Sequence, residues 1–240
     1  VRFTGINPEG VQYLDIYDFD RCTGLLSNHL QISFSIGQLL GGVAISRNSR
    51  YLYNSTFTKL FQYDLFAEDI EASKTLIGEY DGFVEPGSNI PAHFGLAQLA
   101  PNGKIYICPQ IGRYFHEIQR PDLPGTACVF KQHHHQLPTF IHYGIPNYPH
   151  FRLGPLDGSP CDTLGIENIP LAGFRWEQSL LDVEFIDLSW YEPEDWHWDF
   201  GDGSTSQDTS PVHTFPGPGT YTVCQIVSNP KGADTLCQEV

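Results

Sequence analysis

The sequence is short of several features that would assign it to a common class. It has no methionine, only 13 Lys+Arg against 28 Asp+Glu, and no apolar run near the roughly 18 residues of a membrane-spanning helix. The missing run argues against membrane insertion. Binding to nucleic acid depends on neutralising phosphate, so a formal net charge of -15 argues against that partner as well. Hydrophobic residues at 40% and aromatic residues at 13% instead predict a folded chain with a substantial core.

The beginning of the chain and its cysteines bear on where the protein acts. The sequence opens on Val1 without a signal peptide, so we expect it to be a processed or excised part of a longer polypeptide. It has no C-x-x-C pair and no zinc-finger spacing, which predicts disulfides or free thiols and favours an extracellular or cell-surface location. The cysteines are Cys22, Cys108, Cys128, Cys161, Cys224 and Cys237.

Residues 1–154 have the pattern of an all-β domain, with short β-branched and aromatic runs separated by turn residues. Two stretches that begin at Gly42 and Gly95 resemble each other. Each predicts a strand, a tight turn and a second strand, followed by a third strand at 59–65 or 114–119. A repeat of roughly 50 residues with about four strands is typical of propeller blades. The pattern therefore predicts an incomplete propeller of about two and a half blades. The alternative is a sandwich in which two hairpins happen to be similar.

For the rest of the chain, the sequence predicts a linker at 155–170 and a second domain at 171–240. Turn-forming Gly, Pro and Asp residues are concentrated in the linker. The motifs WDFGDG at 198–203, PVHTF at 211–215 and GTYTV at 219–223 closely resemble the PKD domain. That resemblance implies an immunoglobulin-like β-sandwich. Independently, Trp198 and Phe200 alternate with Asp199 and should share a buried face before a tight glycine turn.

One disulfide can be predicted from hairpin register. If 220–227 pairs with 234–240 around a turn at 229–232, Cys224 and Cys237 lie opposite each other and within bonding reach. The other four cysteines allow three pairings. A bond between Cys128 and Cys161 would join the last blade to the linker, and it is our guess among them.

A broader resemblance covers nearly the whole chain. The stretches YDFDRCTG at 17–24, LAPNGKIY at 99–106 and NYPHFRLGPLDGSPCD at 147–162 are similar to secreted propeller-plus-PKD proteins of Bacteroidota bacteria. This resemblance implies export by the type IX secretion system. It also implies O-glycosylation at Thr163 and Thr235, since each follows Asp and precedes Leu, against the alternative of ordinary loop or strand residues.

Two groups of residues are weak candidates for metal binding. Adjacent residues of a strand point to opposite faces, so His133 and His135 could share an ion, against the alternative of a polar strand end. The second candidate is a Ca²⁺ site, against the alternative of a solvated loop. It would use the acidic run of Glu192, Glu194 and Asp195, together with Asp199 or Asp202. We expect no cofactor beyond these two candidates.

Catalytic motifs are missing. The sequence has no Gly-x-Ser-x-Gly and no Ser, His and Asp set that can be grouped. His116-Glu117 begins the zincin motif, but Arg120 occupies the position of its second histidine. We therefore predict that the protein is not an enzyme.

The function predicted from these patterns is structural or adhesive. Trp190, Tyr191 and Trp196, if exposed, could stack on sugars or on a protein partner, against the alternative that they are core residues. The main hypothesis is an extracellular or cell-surface protein, part of a longer polypeptide or a multi-chain assembly, that contacts other chains or glycans. The alternative is a polysaccharide-binding accessory region of a larger secreted enzyme.

Overall fold

The computed structural model describes residues 2–6, 11–34, 41–142, 144–145, 154, 156–160, 162 and 167–240. The chain divides into two compact units, Val1–Tyr148 and Pro149–Val240. The predicted linker at 155–170 falls at the start of the second unit, and part of it lies outside the described residues. No α-helix occurs among the described residues, and they contain no helix of the length and apolar character needed to cross a membrane.

The first unit consists of three consecutive antiparallel sheets, each a meander in which neighbouring strands are also neighbours in sequence. The first sheet has three strands, and the second and third have four each. Their strands are β1 (Arg2–Ile6), β2 (Gln12–Phe19) and β3 (Leu26–Phe34); β4 (Gly41–Ile45), β5 (Tyr51–Thr56), β6 (Lys59–Asp64) and β7 (Thr75–Glu79); and β8 (Ala97–Leu99), β9 (Ile105–Ile107), β10 (Ile111–Ile118) and β11 (Phe130–His142). A single 3-10 turn, Gly125–Cys128, precedes β11.

The two similar stretches of sequence form equivalent parts of the second and third sheets. The hairpin β4–β5 contains Gly42 and the hairpin β8–β9 follows Gly95, while β6 and β10 are the third strands expected after them. Both repeats therefore form the four-stranded meanders that the sequence predicted. None of the sheets closes into a barrel within the part of the chain that the structure describes.

The second sheet lies between the other two. Every residue of its strand β5 is buried, as happens when a strand is covered on both faces. On one face Tyr53 packs in a cluster with Ile105 and Ile107 of the third sheet. On the other face Leu52 packs with Leu14 of the first sheet. Consecutive meanders thus bury apolar faces against each other, which a single sheet cannot do alone.

Gly42 lies where the second and third sheets approach most tightly. A Cβ at this position would lie 2.5 Å from the Cα of Leu96, a backbone atom next to β8. Ser55 Oγ accepts a hydrogen bond from the Gly42 N–H at 2.8 Å and donates one to the Gly95 carbonyl at 2.5 Å. One hydroxyl therefore links the two repeats, and the glycine permits the close approach.

The second unit is an immunoglobulin-like sandwich of two antiparallel sheets. One sheet has three strands and the other has four, and the sheets are ordered β12-β13-β16 and β15-β14-β17-β18. The strands are β12 (Phe174–Ser179), β13 (Asp182–Asp187), β14 (Asp195–Asp199), β15 (Thr205–Ser206), β16 (Val212–Thr214), β17 (Thr222–Asn229) and β18 (Gly232–Glu239).

The core of the sandwich contains the aromatic residues expected from the alternation on β14. Trp198 is fully buried and Phe200 is nearly so, while Asp199 between them is exposed. The Trp198 indole N–H donates to the carbonyl of Asp208 at 2.9 Å, so its polar atom is satisfied inside the core. The turn after Phe200 has Gly201 at φ 75° and Gly203 at φ 93°, in the left-handed region that favours glycine.

The predicted bond between Cys224 and Cys237 is confirmed. The two residues are directly opposite in the β17–β18 ladder, and their sulfurs are bonded. Cys22 is also disulfide-bonded. The guessed bond between Cys128 and Cys161 is wrong, because Cys128 is a free thiol packed in the core cluster that contains Tyr53. Burial raises the pKa of the Cys128 thiol to about 11, which keeps it protonated and unreactive.

Candidate functional site

A groove on the outer face of the four-stranded sheet of the second unit is the candidate site. It has a volume of about 380 Å³. Strands β14 and β17 form its floor, where Asp195 pairs with Ser228 and His197 pairs with Ile226. The residues that line it are Glu194, Asp195, Trp196, His197, Gln207, Ile226 and Ser228.

The loop that leads into β14 is held in an unusual conformation. Tyr191 and Glu192 both have positive φ, 65° and 58°, which is uncommon for residues other than glycine. The Asn229 side chain stabilises this turn by donating to the carbonyls of Asn168 at 2.8 Å and of Glu192 at 3.2 Å. The backbone N–H of Glu194 then donates to the Ser228 carbonyl at 2.9 Å. The loop and the β17–β18 turn thereby fix the acidic end of the groove.

The groove mixes hydrogen-bonding and apolar groups. Glu194 and Asp195 place two carboxyl groups at one end, and His197 is exposed beside them. The carboxylates disfavour an anionic ligand, because they add negative potential to a chain that already carries excess acid. Ile226 adds an apolar patch to the floor. This combination suits a hydroxyl-rich or basic ligand that lies along the sheet.

Of the three aromatic residues predicted as ligand contacts, the structure brings one to this groove. Trp196 lines it, but the side chain is half-buried and also packs against the sandwich core. Trp190 and Tyr191 are likewise half-buried, and Trp190 forms a β-bridge with Leu171. Because all three side chains are half-buried, they do not form the exposed aromatic platform that the sequence suggested.

Glu194 and Asp195 belong to the acidic run noted in the sequence, whereas the remaining lining residues were not identified there. His197 alternates with the buried Trp198, so the pattern of β14 already placed its side chain on the outer face. Gln207, Ile226 and Ser228 could not be found in this way, because their contribution depends on which strands become neighbours. Thr235, a predicted glycosylation residue, is exposed on β18 directly opposite Ile226. Thr163 lies outside the described residues.

The carboxyl groups considered for Ca²⁺ act within the turn after β14. Asp199 Oδ1 accepts from the N–H of Gly201 at 2.9 Å. Asp202 Oδ1 accepts from the Ser204 N–H at 2.9 Å, and Asp202 Oδ2 accepts from His213 Nε2 at 2.8 Å. Hydrogen bonds from Ser204 and then from His213 lower the pKa of Asp202 to about 2. Within the described residues, the two aspartates belong to no group of three metal-ligating side chains.

Asp202, Ser204 and His213 are close together but do not have the geometry of a hydrolytic triad. Ser204 Oγ donates to Asp202, whereas a nucleophilic serine must donate to the histidine. His213 Nε2 lies 2.8 Å from Asp202 Oδ2 and 3.3 Å from Ser204 Oγ, and its ring is stacked on Phe200 with centroids 4.1 Å apart. These contacts connect the turn to β16.

The structure separates His133 and His135, the other metal candidates. His133 Nε2 is 2.9 Å from Asp81 Oδ2, and its ring stacks on Phe83. His135 instead bonds to the buried carboxylate of Glu117. The two histidines do not converge, because His133 has φ 37° and interrupts the alternation of β11.

The second unit matches a known domain family. The family model of the PKD domain matches residues 175–240. Collagenase ColQ1 of Bacillus cereus (strain Q1) is 47% identical over 38 residues, which are 16% of this chain and 4% of that protein. The chain thus matches only a small part of that relative's length.

Two solved structures of PKD domains are similar to part of the chain. The PKD1 domain of Vibrio anguillarum Epp has 28% identity and a TM-score of 0.28, covering 30% of this chain and 89% of that chain. The PKD1 domain of the Vibrio cholerae metalloprotease PrtV has 29% identity and a TM-score of 0.29, covering 30% of this chain and 93% of that chain. The match of the family model supports a PKD domain at residues 175–240, and PKD domains occur in extracellular proteins.

Proposed function

We propose that this chain is a non-catalytic part of an extracellular or cell-surface protein, and that its PKD domain makes structural or adhesive contacts with other protein chains or glycans. The groove whose floor is formed by β14 and β17 carries the proposal. It is open to solvent, it is lined by both polar and apolar groups, and it lies on a sheet whose strands β17 and β18 are cross-linked by the disulfide between Cys224 and Cys237. These contacts need no cofactor.

The extracellular part of the proposal is supported by the cysteines. Disulfides persist in oxidising compartments and are rare in the cytosol of most organisms. Cys22, Cys224 and Cys237 are disulfide-bonded, whereas the two free thiols, Cys108 and Cys128, are buried. The resemblance to Bacteroidota proteins adds the type IX secretion system as the export route and O-glycosylation at Thr163 and Thr235. Mass spectrometry of the native protein would detect a glycan on Thr163 and on Thr235, and peptides without a glycan at these positions would contradict the proposed O-glycosylation.

We also propose that the three sheets of the first unit are blades of an incomplete propeller. The observation in favour is that consecutive antiparallel meanders stack face to face through β5. In a propeller, successive sheets are related by rotation about one common axis. An experimental structure with such an axis would support the blades, whereas sheets paired as a sandwich would contradict them.

The test of the groove is a binding measurement on the full chain. Glycan and extracellular-matrix protein arrays would identify a ligand, and calorimetry would then compare the wild type with His197→Ala. Loss of a central contact should weaken binding at least about tenfold. Thr222→Ala is the matched control, because Thr222 is exposed on β17 but does not line the groove. If no ligand binds, or if His197→Ala binds it as well as Thr222→Ala does, the groove is not the site.

A second candidate function is an accessory region of a larger secreted enzyme. The observation in favour is the similarity to a collagenase over 38 residues. In this case the chain itself should have no hydrolytic activity, but joining it to its native enzyme should increase turnover of a polymeric substrate and not of a small soluble one. Equal turnover of the polymer with and without the chain would exclude this candidate.

A further inference from the structure

The strand pair β10–β11 contains a wide bulge that brings three potential metal ligands together. Phe115 pairs with His135 and Glu117 pairs with Lys131, so the single residue between them on β10 faces residues 132–134 on β11. His133, at φ 37°, lies in the middle of the inserted segment, and its N–H donates to the ring Nδ1 of His116 at 3.1 Å. Bulges of this kind change the direction in which side chains point.

The bulge allows two consecutive histidines to lie on one side of the strand. Regular alternation would direct His134 and His135 to opposite faces. Here their ring centroids are 4.7 Å apart. A carboxylate oxygen of Glu117 and one ring nitrogen of each histidine all lie within 4.8 Å of one another. Among the residues that the structure describes, this is the one such group of three ligating side chains.

Glu117 is prepared to act as an anionic ligand. Its side chain has no exposed surface, and Lys104 Nζ contacts Oε1 at 2.9 Å. The other oxygen, Oε2, is hydrogen-bonded to His135 Nε2. Lysine therefore orients the carboxylate through one oxygen and leaves the other on the side of the histidines, the role that outer-shell groups have in metal sites.

The spacing and the ligand types favour Zn²⁺. Zinc binds histidine nitrogen and carboxylate oxygen at about 2.0–2.2 Å, so tetrahedral ligands are about 3.4 Å apart. Glu117 Oε2 and His135 Nε2 are already in hydrogen-bonding contact, closer than this spacing, so a bound ion would take the place of that hydrogen bond. The other separations exceed the spacing by at most about 1.4 Å, which rotation of the exposed His134 side chain can close. We propose that Glu117, His134 and His135 bind Zn²⁺, with the fourth position open to water on the exposed side of His134.

The test is zinc binding by the full chain, prepared without a histidine tag and treated with a chelator. Calorimetry should give one Zn²⁺ per chain. His134→Ala should weaken binding at least about 100-fold, since loss of even an outer-shell partner costs 10–100-fold. His133→Ala is the matched control and should change the affinity less than about threefold, because His133 faces Asp81. His134 is exposed, so its replacement should leave the fold intact by circular dichroism.

Substitution with Co²⁺ provides an independent readout of the ligands. Four-coordinate cobalt should give intense visible d–d bands without a sulfur charge-transfer band, and these bands should be lost in His134→Ala. Absence of stoichiometric binding would overturn the proposal. So would loss of binding in His133→Ala with retention in His134→Ala, or a weak octahedral cobalt spectrum.

Discussion

Replacing Gly42 with alanine tests whether the sheets of the first unit stack as described. A Cβ at this position would lie 2.5 Å from the Leu96 Cα and 2.6 Å from the Gly95 carbonyl oxygen, and it would also contact the Ala97 nitrogen. All three atoms belong to the backbone next to or within β8. Because Cβ atoms in real structures essentially never approach closer than 3.0 Å, the two sheets must separate by about 0.5 Å.

The expected cost of Gly42→Ala can be estimated from that displacement. Adding a methylene to a packed core costs typically 1–3 kcal/mol, and collision with backbone places this variant near about 3 kcal/mol. For a unit of this size, each kcal/mol lost from the free energy of unfolding lowers the unfolding temperature by about 2–4 °C. In calorimetry of the full chain, the unfolding temperature of the first unit should therefore fall by about 6–12 °C.

The control for this experiment is Gly144→Ala in the same unit. The nearest atom to a Cβ there is the His142 carbonyl oxygen at 3.5 Å, an ordinary contact. This variant should change the free energy of unfolding by less than about 0.5 kcal/mol. If Gly42→Ala and Gly144→Ala unfold at the same temperature, the second and third sheets do not meet at Gly42 and the stacking is wrong.

Three further predictions concern buried hydrogen bonds, pH and the disulfide. Tyr53→Phe removes a buried hydroxyl that donates to a loop carbonyl at 2.9 Å, and should lower the free energy of unfolding in urea by about 1–3 kcal/mol. The depressed pKa of Asp202, caused first by the Ser204 hydrogen bond, means that its contribution to stability is present above its ordinary pKa of 3.8 and is lost as pH falls toward 2. The free energy of unfolding of the PKD domain should therefore fall over this acid range, and Asp202→Asn should make it depend less on pH. Replacing Cys224 and Cys237 with alanine opens a loop with a sequence separation of 13. The free energy of unfolding of the PKD domain should fall by about 3 kcal/mol, which calorimetry would record as a lower unfolding temperature.

Local patterns were sufficient to predict the two similar hairpins of the first unit and one cross-link. The pairing of Cys224 with Cys237 could be deduced because a hairpin with a short turn fixes the register of every later pair. The alternation of Trp198 with Asp199 likewise defined a buried face without knowledge of the partner sheet. In both cases the determining contacts are close in sequence.

Contacts between distant strands could not be predicted in the same way. The groove needs Ile226 and Ser228 of β17 beside β14, and no local pattern in the sequence identifies that neighbour. Spacing also cannot distinguish a buried free thiol from a bonded one, which is why the guess for Cys128 failed. The bulge at His133 is a third example, since two extra residues in β11 become evident only when β10 lies opposite.

That bulge also indicates how a bound ion would act on the fold. His133 has an uncommon backbone conformation, but its N–H bonds to His116, its ring bonds to Asp81 and stacks on Phe83, so the turn has its own stabilising contacts. The buried charge of Glu117 is likewise balanced by Lys104. Zinc fingers, in contrast, unfold without metal because nothing else orders their ligands. The first unit should therefore fold without zinc, and zinc should add stability by mass action, raising its transition temperature in the wild type and not in His134→Ala.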